Sequence, residues 1–182
     1  DAMLRPEYAR QVDVTAEITG EHLVLVYNPF VNVISNYISL QPLGYAVDGM
    51  PAFAYQALSK VLYYGNDVGV HYHPHFAHDL HLETTWSYIR AESQADSSAS
   101  LIPPQRLQTS LKYSFDGVQH FQITELNVMH TYMAAQHQVA FMETPSAAYH
   151  LIDAAVAFEF SRKSSWQFRL GVRNVLNERY ID

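Results

Sequence analysis

The densest run of ionisable side chains is His71-Tyr72-His73-Pro74-His75-Phe76-Ala77-His78-Asp79-Leu80-His81-Leu82-Glu83. If the chain reverses at 74–79 and the flanking segments pair as strands, His71 and His73 share one face. His81 and Glu83 join that face from the next strand. Imidazoles at i and i+2 beside a cross-strand imidazole and carboxylate can bind Zn²⁺ or Cu²⁺. The competing role is structural, because neutral imidazoles both donate and accept hydrogen bonds and so suit a polar wall. The structural role is the expectation. A second set, Met129, His130, Met133, His137, Met142 and Glu143, mixes thioethers with imidazoles. Within it Met133, His137 and Met142 are the candidates for copper or zinc, against a background of Met and His scattered through an apolar segment. Nucleophilic catalysis has little support, since no Gly-x-Ser-x-Gly elbow occurs and no Ser and His fall at a catalytic spacing. Asp13 and Glu17 share a strand face, where lining a wet interior is the simpler role. The chain is expected to be no enzyme and to need no cofactor.

The segments that carry these residues read as strands. At Trp166-Gln-Phe-Arg-Leu-Gly-Val-Arg173 the even positions are apolar and the odd ones are Gln167, Arg169, Gly171 and Arg173. Segment 106–115 alternates likewise, with Leu107, Thr109, Leu111, Tyr113 and Phe115 on one face. In 148–160, Ile152, Ala154, Val156, Phe158 and Phe160 oppose Asp153 and Glu159, and near the start Val12, Val14, Ala16 and Ile18 oppose Asp13 and Glu17. Period two held over such lengths is a β signal. Further strands are expected at 21–41, 52–73, 80–94 and 119–133. The last slips in phase, from Phe121 and Ile123 to Leu126 and Val128, which predicts a bulge near Thr124-Glu125.

Short connections (19–21, 74–79, 116–118, 161–165) alternate with longer ones (41–51, 93–104, 134–147 and from 174). That asymmetry, with strands longer than the usual 5–6 residues or so, suits an up-and-down transmembrane barrel. Tyr72 near one end and Trp86 with Tyr88 towards the other suit two aromatic girdles. Of 182 residues only 16% are charged, the formal charge is −7 and there is no Cys. Disorder is excluded by the apolar and aromatic content. A nucleic-acid partner is excluded by the acidic balance, and thiolate chemistry by the missing Cys. No run is long and apolar enough for a transmembrane helix, which says nothing against a barrel. No signal peptide is visible before Pro6, so it is expected to have been removed, or the chain to be a piece of something longer.

Several segments resemble TonB-dependent outer-membrane receptors, especially those common in Bacteroidetes. They are Leu4-Arg-Pro-Glu7, Ile34-Ser-Asn-Tyr-Ile38, Leu62-Tyr-Tyr-Gly65, Ile102-Pro-Pro-Gln-Arg-Leu107, Glu143-Thr-Pro145 with Tyr149, and Asn174-Val-Leu-Asn-Glu-Arg-Tyr180. They occur in the family's order across nearly the whole chain. The resemblance implies an all-β fold, an antiparallel barrel of which residues 1–182 form the C-terminal part. About eight strands of a 22-stranded barrel would be present, with the plug domain and the final strand lying outside the chain. It further implies uptake of a scarce ligand, such as a metal chelate or siderophore, across a Gram-negative outer membrane with energy from TonB. The implied partners are outer-membrane lipid, the receptor's own plug, TonB through that plug, and a small extracellular ligand. In that setting 74–79 lies in the periplasm, away from the mouth that captures ligand. The alternative is a soluble, secreted β-sandwich that binds glycans or metal ions through its loops.

Overall fold

The computed structural model describes residues 4–93, 102–115, 121–137, 139, 143–161 and 164–180. The strands are β1 (Tyr8–Asp13), β2 (Ala16–Thr19), β3 (Leu23–Val47), β4 (Met50–Tyr72), β5 (Leu80–Ser93), β6 (Arg106–Ser114), β7 (Phe121–Met133), β8 (Tyr149–Ser161) and β9 (Ser165–Val172). They make one antiparallel sheet in the order β1-β3-β4-β5-β6-β7-β8-β9, with β2 also on β3. β1 and β2 are one strand interrupted opposite Pro29: Asp13 faces Phe30 and Ala16 faces Tyr27 in a single register. Val14 N donates to Pro29 O at 3.1 Å, but the proline nitrogen has no hydrogen to return, so the ladder lapses there. The bulge expected near Thr124-Glu125 is present: Ile123 faces Phe158 and Glu125 faces Ala157, leaving Thr124 as the extra residue.

The connection expected at 41–51 is not a loop. β3 and β4 continue as a hairpin and close on Asp48 (φ 52°) and Gly49 (φ 80°). Left-handed conformation at both central residues defines the two-residue turn that Asp-Gly favours. Gly44 (φ 75°) lies where the register shifts between Pro42 and Ala46, so the other loop-like residues form a bulge. The arm runs past its neighbours, since β1 pairs with β3 only as far as Ser35 and β5 with β4 only from Val61. The expected connections at 93–104, 116–118, 134–147 and 161–165 fall wholly or partly outside the described residues.

Following side chains across the registers separates two faces. One carries Val12, Val14 and Ile18, then Leu23, Leu25 and Val31, Val68 and Val70, Leu80 and Leu82, Leu107 and Leu111, Leu126 and Val128, Val156 and Phe158, and Phe168 and Leu170. The other carries Glu17, Asn28, Asp67, His71, Glu83, Gln108, Lys112, Glu125, Asp153 and Arg169. Among the described residues only Val61, Gly65, Pro74, Thr131 and Tyr149 are buried, whereas Val12, Leu111, Val128, Phe168 and Leu170 are exposed. All described strands lie in this one sheet, so the β-sandwich alternative is overturned: no second sheet covers the apolar face. The sheet is open, with β1 and β9 at its edges, as expected of a sector of a larger barrel.

At Gly65 of β4 the backbone of β5 and the Phe30 ring of β3 approach closely. A Cβ there would lie 2.1 Å from Tyr88 O and 2.9 Å from the Phe30 ring, which covers the glycine from the polar side. At Gly171 a Cβ would meet Ala154 O at 3.5 Å, an ordinary contact. Gly65→Ala is therefore expected to cost about 1–3 kcal/mol by forcing the backbone or Phe30 aside, and Gly171→Ala to be near neutral. Urea unfolding of the folded full-length protein checks both.

Candidate functional site: the polar wall and its histidine rim

The short turn between β4 and β5 gathers more imidazole than the sequence run alone indicates. His71, near the end of β4, faces Glu83 of β5 in register, and its Nε2 lies 3.2 Å from His81 Nδ1. Ring centroids are 5.4 Å apart for His71–His73, 5.5 Å for His71–His81 and 5.7 Å for His73–His81. His22, in the neighbouring β2–β3 turn, adds a fourth ring 5.7 Å from His73 and 5.4 Å from His75. It arrives there because the β3–β4 ladder extends one bond beyond the strands, with His73 N donating to His22 O at 3.0 Å. Sequence reasoning missed His22, although counting the β3–β4 register back past Leu23 places it opposite His73. His78 lies 6.0 Å from His75. Partial burial, and then the like charge of His71, His22, His81 and His78, hold the His73 imidazole below the usual histidine range. Among the described residues no three His, Asp or Glu groups already converge as metal ligands.

The second candidate set is not brought together. Met129 and Met133 face the polar side, whereas His130 points to the apolar side, because neighbours along a strand alternate. There His130 Nε2 lies 2.9 Å from His150 Nδ1 with the rings nearly parallel, and Tyr132 packs on His150. His137 borders a separate recess of about 310 Å³ with Arg90, Gln105 and Gln136. Met142 lies outside the described residues.

Met133 instead lines a recess of about 300 Å³ in the polar wall, with Phe30, Asp67, Ser87, Ile89 and Arg106. Asp67, Ser87, Arg106 and Met133 are successive register partners across four strands. The recess exists because the β5–β6 ladder stops at Ser87–Arg106: Pro103 and Pro104, just before β6, have no N–H to extend it. Nearby, the buried side-chain oxygens of Asn28 and Asn32 accept no hydrogen bond. Lower on the wall Glu125 pairs with Lys112 at 3.2 Å and with Arg169 at 2.8 Å. Arg169 reaches it from β9 across β8, over Ala157, the register partner of both. Such a wall can hold water, a polar domain or a passing solute.

The profile of the family described as TonB dependent receptor-like, beta-barrel matches residues 1–175. Among solved structures, the copper transporter OprC is similar over 100% of this chain and 28% of its own, with TM-score 0.84 and 16% identity. The FrpB iron transporter from Neisseria meningitidis (F3-3 variant) is similar over 98% of this chain and 28% of its own, with TM-score 0.68 and 14% identity. The chain thus spans little more than a quarter of either transporter, and at these identities the likeness is one of fold. No curated protein matches the chain at a significant level.

The carboxylate of Glu125 balances two cations, while Arg169 is 57% exposed. Solvent screening keeps such a pair weak, so Arg169→Gln is expected to cost less than about 1 kcal/mol. Glu125→Gln, which leaves Lys112 and Arg169 facing each other without an anion, is expected to cost more. The two urea midpoints, compared with that of the unsubstituted receptor, check the order.

Proposed function

Since the chain belongs to the TonB-dependent receptor β-barrel family, we propose that it is a sector of the wall of a Gram-negative outer-membrane receptor. That receptor takes up a scarce ligand, a metal chelate, siderophore or similar small molecule, with energy supplied by TonB. The role is transport rather than catalysis. The observation that carries the reading is the uncovered apolar face, on which large hydrophobic residues such as Trp166, Phe168, Leu170 and Val172 stay exposed while no core forms behind them. In water such a face is unstable, and in lipid it is the contact surface. Its height also fits. On β4 the residues of that face run from Tyr72 to Leu62 before the first charge, Lys60. Ten residues tilted by about 40° rise roughly 26 Å, close to the ~25 Å band of such barrels. On β1 and β5 the first charges of the same face, Arg10 and Arg90, are register neighbours of Val33 and Tyr64, at that same level.

The polar face then lines the interior. Its charged side chains, among them Asp67, Glu83, Lys112, Glu125, Asp153 and Arg169, support contact with a polar plug domain and water. TonB would act through that plug. The short turns at 20–22 and 73–79 are assigned to the periplasm, and the hairpin tip at Asp48-Gly49 to the cell surface.

Residues 1–182 contain no Cys, so with any cysteine elsewhere in the receptor replaced, this orientation can be tested by labelling. With a membrane-impermeant maleimide on intact cells, Asp48→Cys is expected to label and Phe76→Cys to label only after the outer membrane is opened. The reverse pattern would invert the orientation. Val156→Arg, in the middle of the apolar face, is expected to cost about 2–4 kcal/mol in refolding into lipid vesicles.

A further inference from the structure

We infer that His71, His73 and His81 form a three-imidazole site for a first-row transition-metal dication of borderline softness, Zn²⁺ or Cu²⁺. The inference does not depend on which solute the receptor carries, or on which way the chain crosses the membrane. Its basis is the size of the ring triangle, with sides of 5.4, 5.5 and 5.7 Å. With metal–nitrogen bonds of roughly 2.0–2.1 Å, three imidazoles on one ion have centroids about 5.2 Å apart in a tetrahedral shell and about 5.5 Å apart in a trigonal one. The ring centroids therefore stand within a few tenths of an ångström of the separations that shared coordination would give, although the donor atoms do not yet meet.

One edge is closer still to a finished site. His71 Nε2 and His81 Nδ1 are 3.2 Å apart, against about 3.3 Å for two nitrogens on a tetrahedral ion. The hydrogen bond that now joins them can give way to the ion if each neutral ring carries its proton on the opposite nitrogen, so only tautomers change. The side chains as they stand do not converge on one point. His73 closes the set by turning about χ2, a broad and shallow torsion for histidine. Two further groups favour a cation there. Glu83, the register partner of His71, supplies a carboxylate beside the site, and His22, 5.7 Å from His73, has a buried Nδ1 with no partner. The sequence favoured a structural role for these histidines because it showed them only as a run along a turn; the triangle and His22 appear only once β3, β4 and β5 are laid side by side.

The test uses the full-length receptor, stripped with chelator and equilibrated with micromolar ZnCl₂. Metal content should fall by one equivalent per chain in H71Q/H73Q/H81Q and stay unchanged in H130Q/H150Q, which removes the imidazole pair of the opposite face. X-ray absorption on the unsubstituted receptor should show nitrogen ligands at roughly 2.0 Å with imidazole outer-shell scattering. If the triple variant fails to show heat-modifiable mobility, and so has not folded, H73Q alone should weaken zinc binding at least about tenfold. Equal zinc in the unsubstituted and triple-variant proteins, or unchanged affinity in H73Q, would overturn the site. Loss of the zinc with ligand uptake intact would leave it standing and separate it from the transport role, whose failure is read in uptake.

Discussion

Every backbone donor and acceptor in these strands must be paired sideways, because behind the sheet there is no core to lean on. Lateral hydrogen bonding alone is common to all sheets. What is particular here is that the ladder is nearly the whole of the cohesion, with Val61, Gly65, Pro74, Thr131 and Tyr149 the only buried residues among those described. A sheet held in this way tolerates two different solvents on its two faces, provided the period of two is never lost. The sequence keeps that phase over β1 to β9 and corrects it where it slips. The extra residue at Thr124 returns Leu126 and Val128 to the apolar side after Phe121 and Ile123. Without the bulge, the polar Glu125 and Asn127 would have turned to that side, and the Glu125 pairs with Lys112 and Arg169 would not exist.

The same constraint explains the polar residues found on the apolar face. In hydrocarbon a lone hydroxyl or imidazole has no water to bond with, so each such group needs a partner on its own face. Thr84 and Thr109 face each other across β5 and β6 with their hydroxyls 3.3 Å apart, and His130 meets His150 diagonally across β7 and β8 at 2.9 Å. One such group has none: the Asn66 side-chain oxygen, on the apolar face, is buried without a hydrogen-bond partner, as are those of Asn28 and Asn32 on the polar face. The two faces thus differ chiefly in how many polar groups they carry.

Most of the fold was legible in the residues because period two is a local signal: the facing of 106–115, 148–160 and 166–172, and the bulge at 124, could be read one strand at a time. The hairpin at 41–51 was misread for a physical reason. Pro42, Gly44, Asp48, Gly49 and Pro51 are loop-forming types, but Gly44 serves a bulge and Asp48-Gly49 a two-residue turn, so strands continue where residue type suggests they end. The candidate site was less legible, because it depends on register. His71, His73 and His81 were visible as a run, while His22 enters from another turn. Met129, His130 and Met133 looked like a cluster along the chain, but alternation sends His130 to the opposite side.

The central claim is that the apolar face meets lipid and the polar face meets water. Since the chain has no Cys of its own, single spin labels can be walked through 151–159 and 166–172 in the receptor reconstituted in bilayers. Collision rates with oxygen and with a water-soluble nickel chelate then report the surroundings of each label. The expected result is an alternation of period two in both strands, with labels at 154, 156, 158, 168 and 170 oxygen-rich and shielded from nickel. A wet environment at 156 and 170, or the absence of alternation, would contradict it.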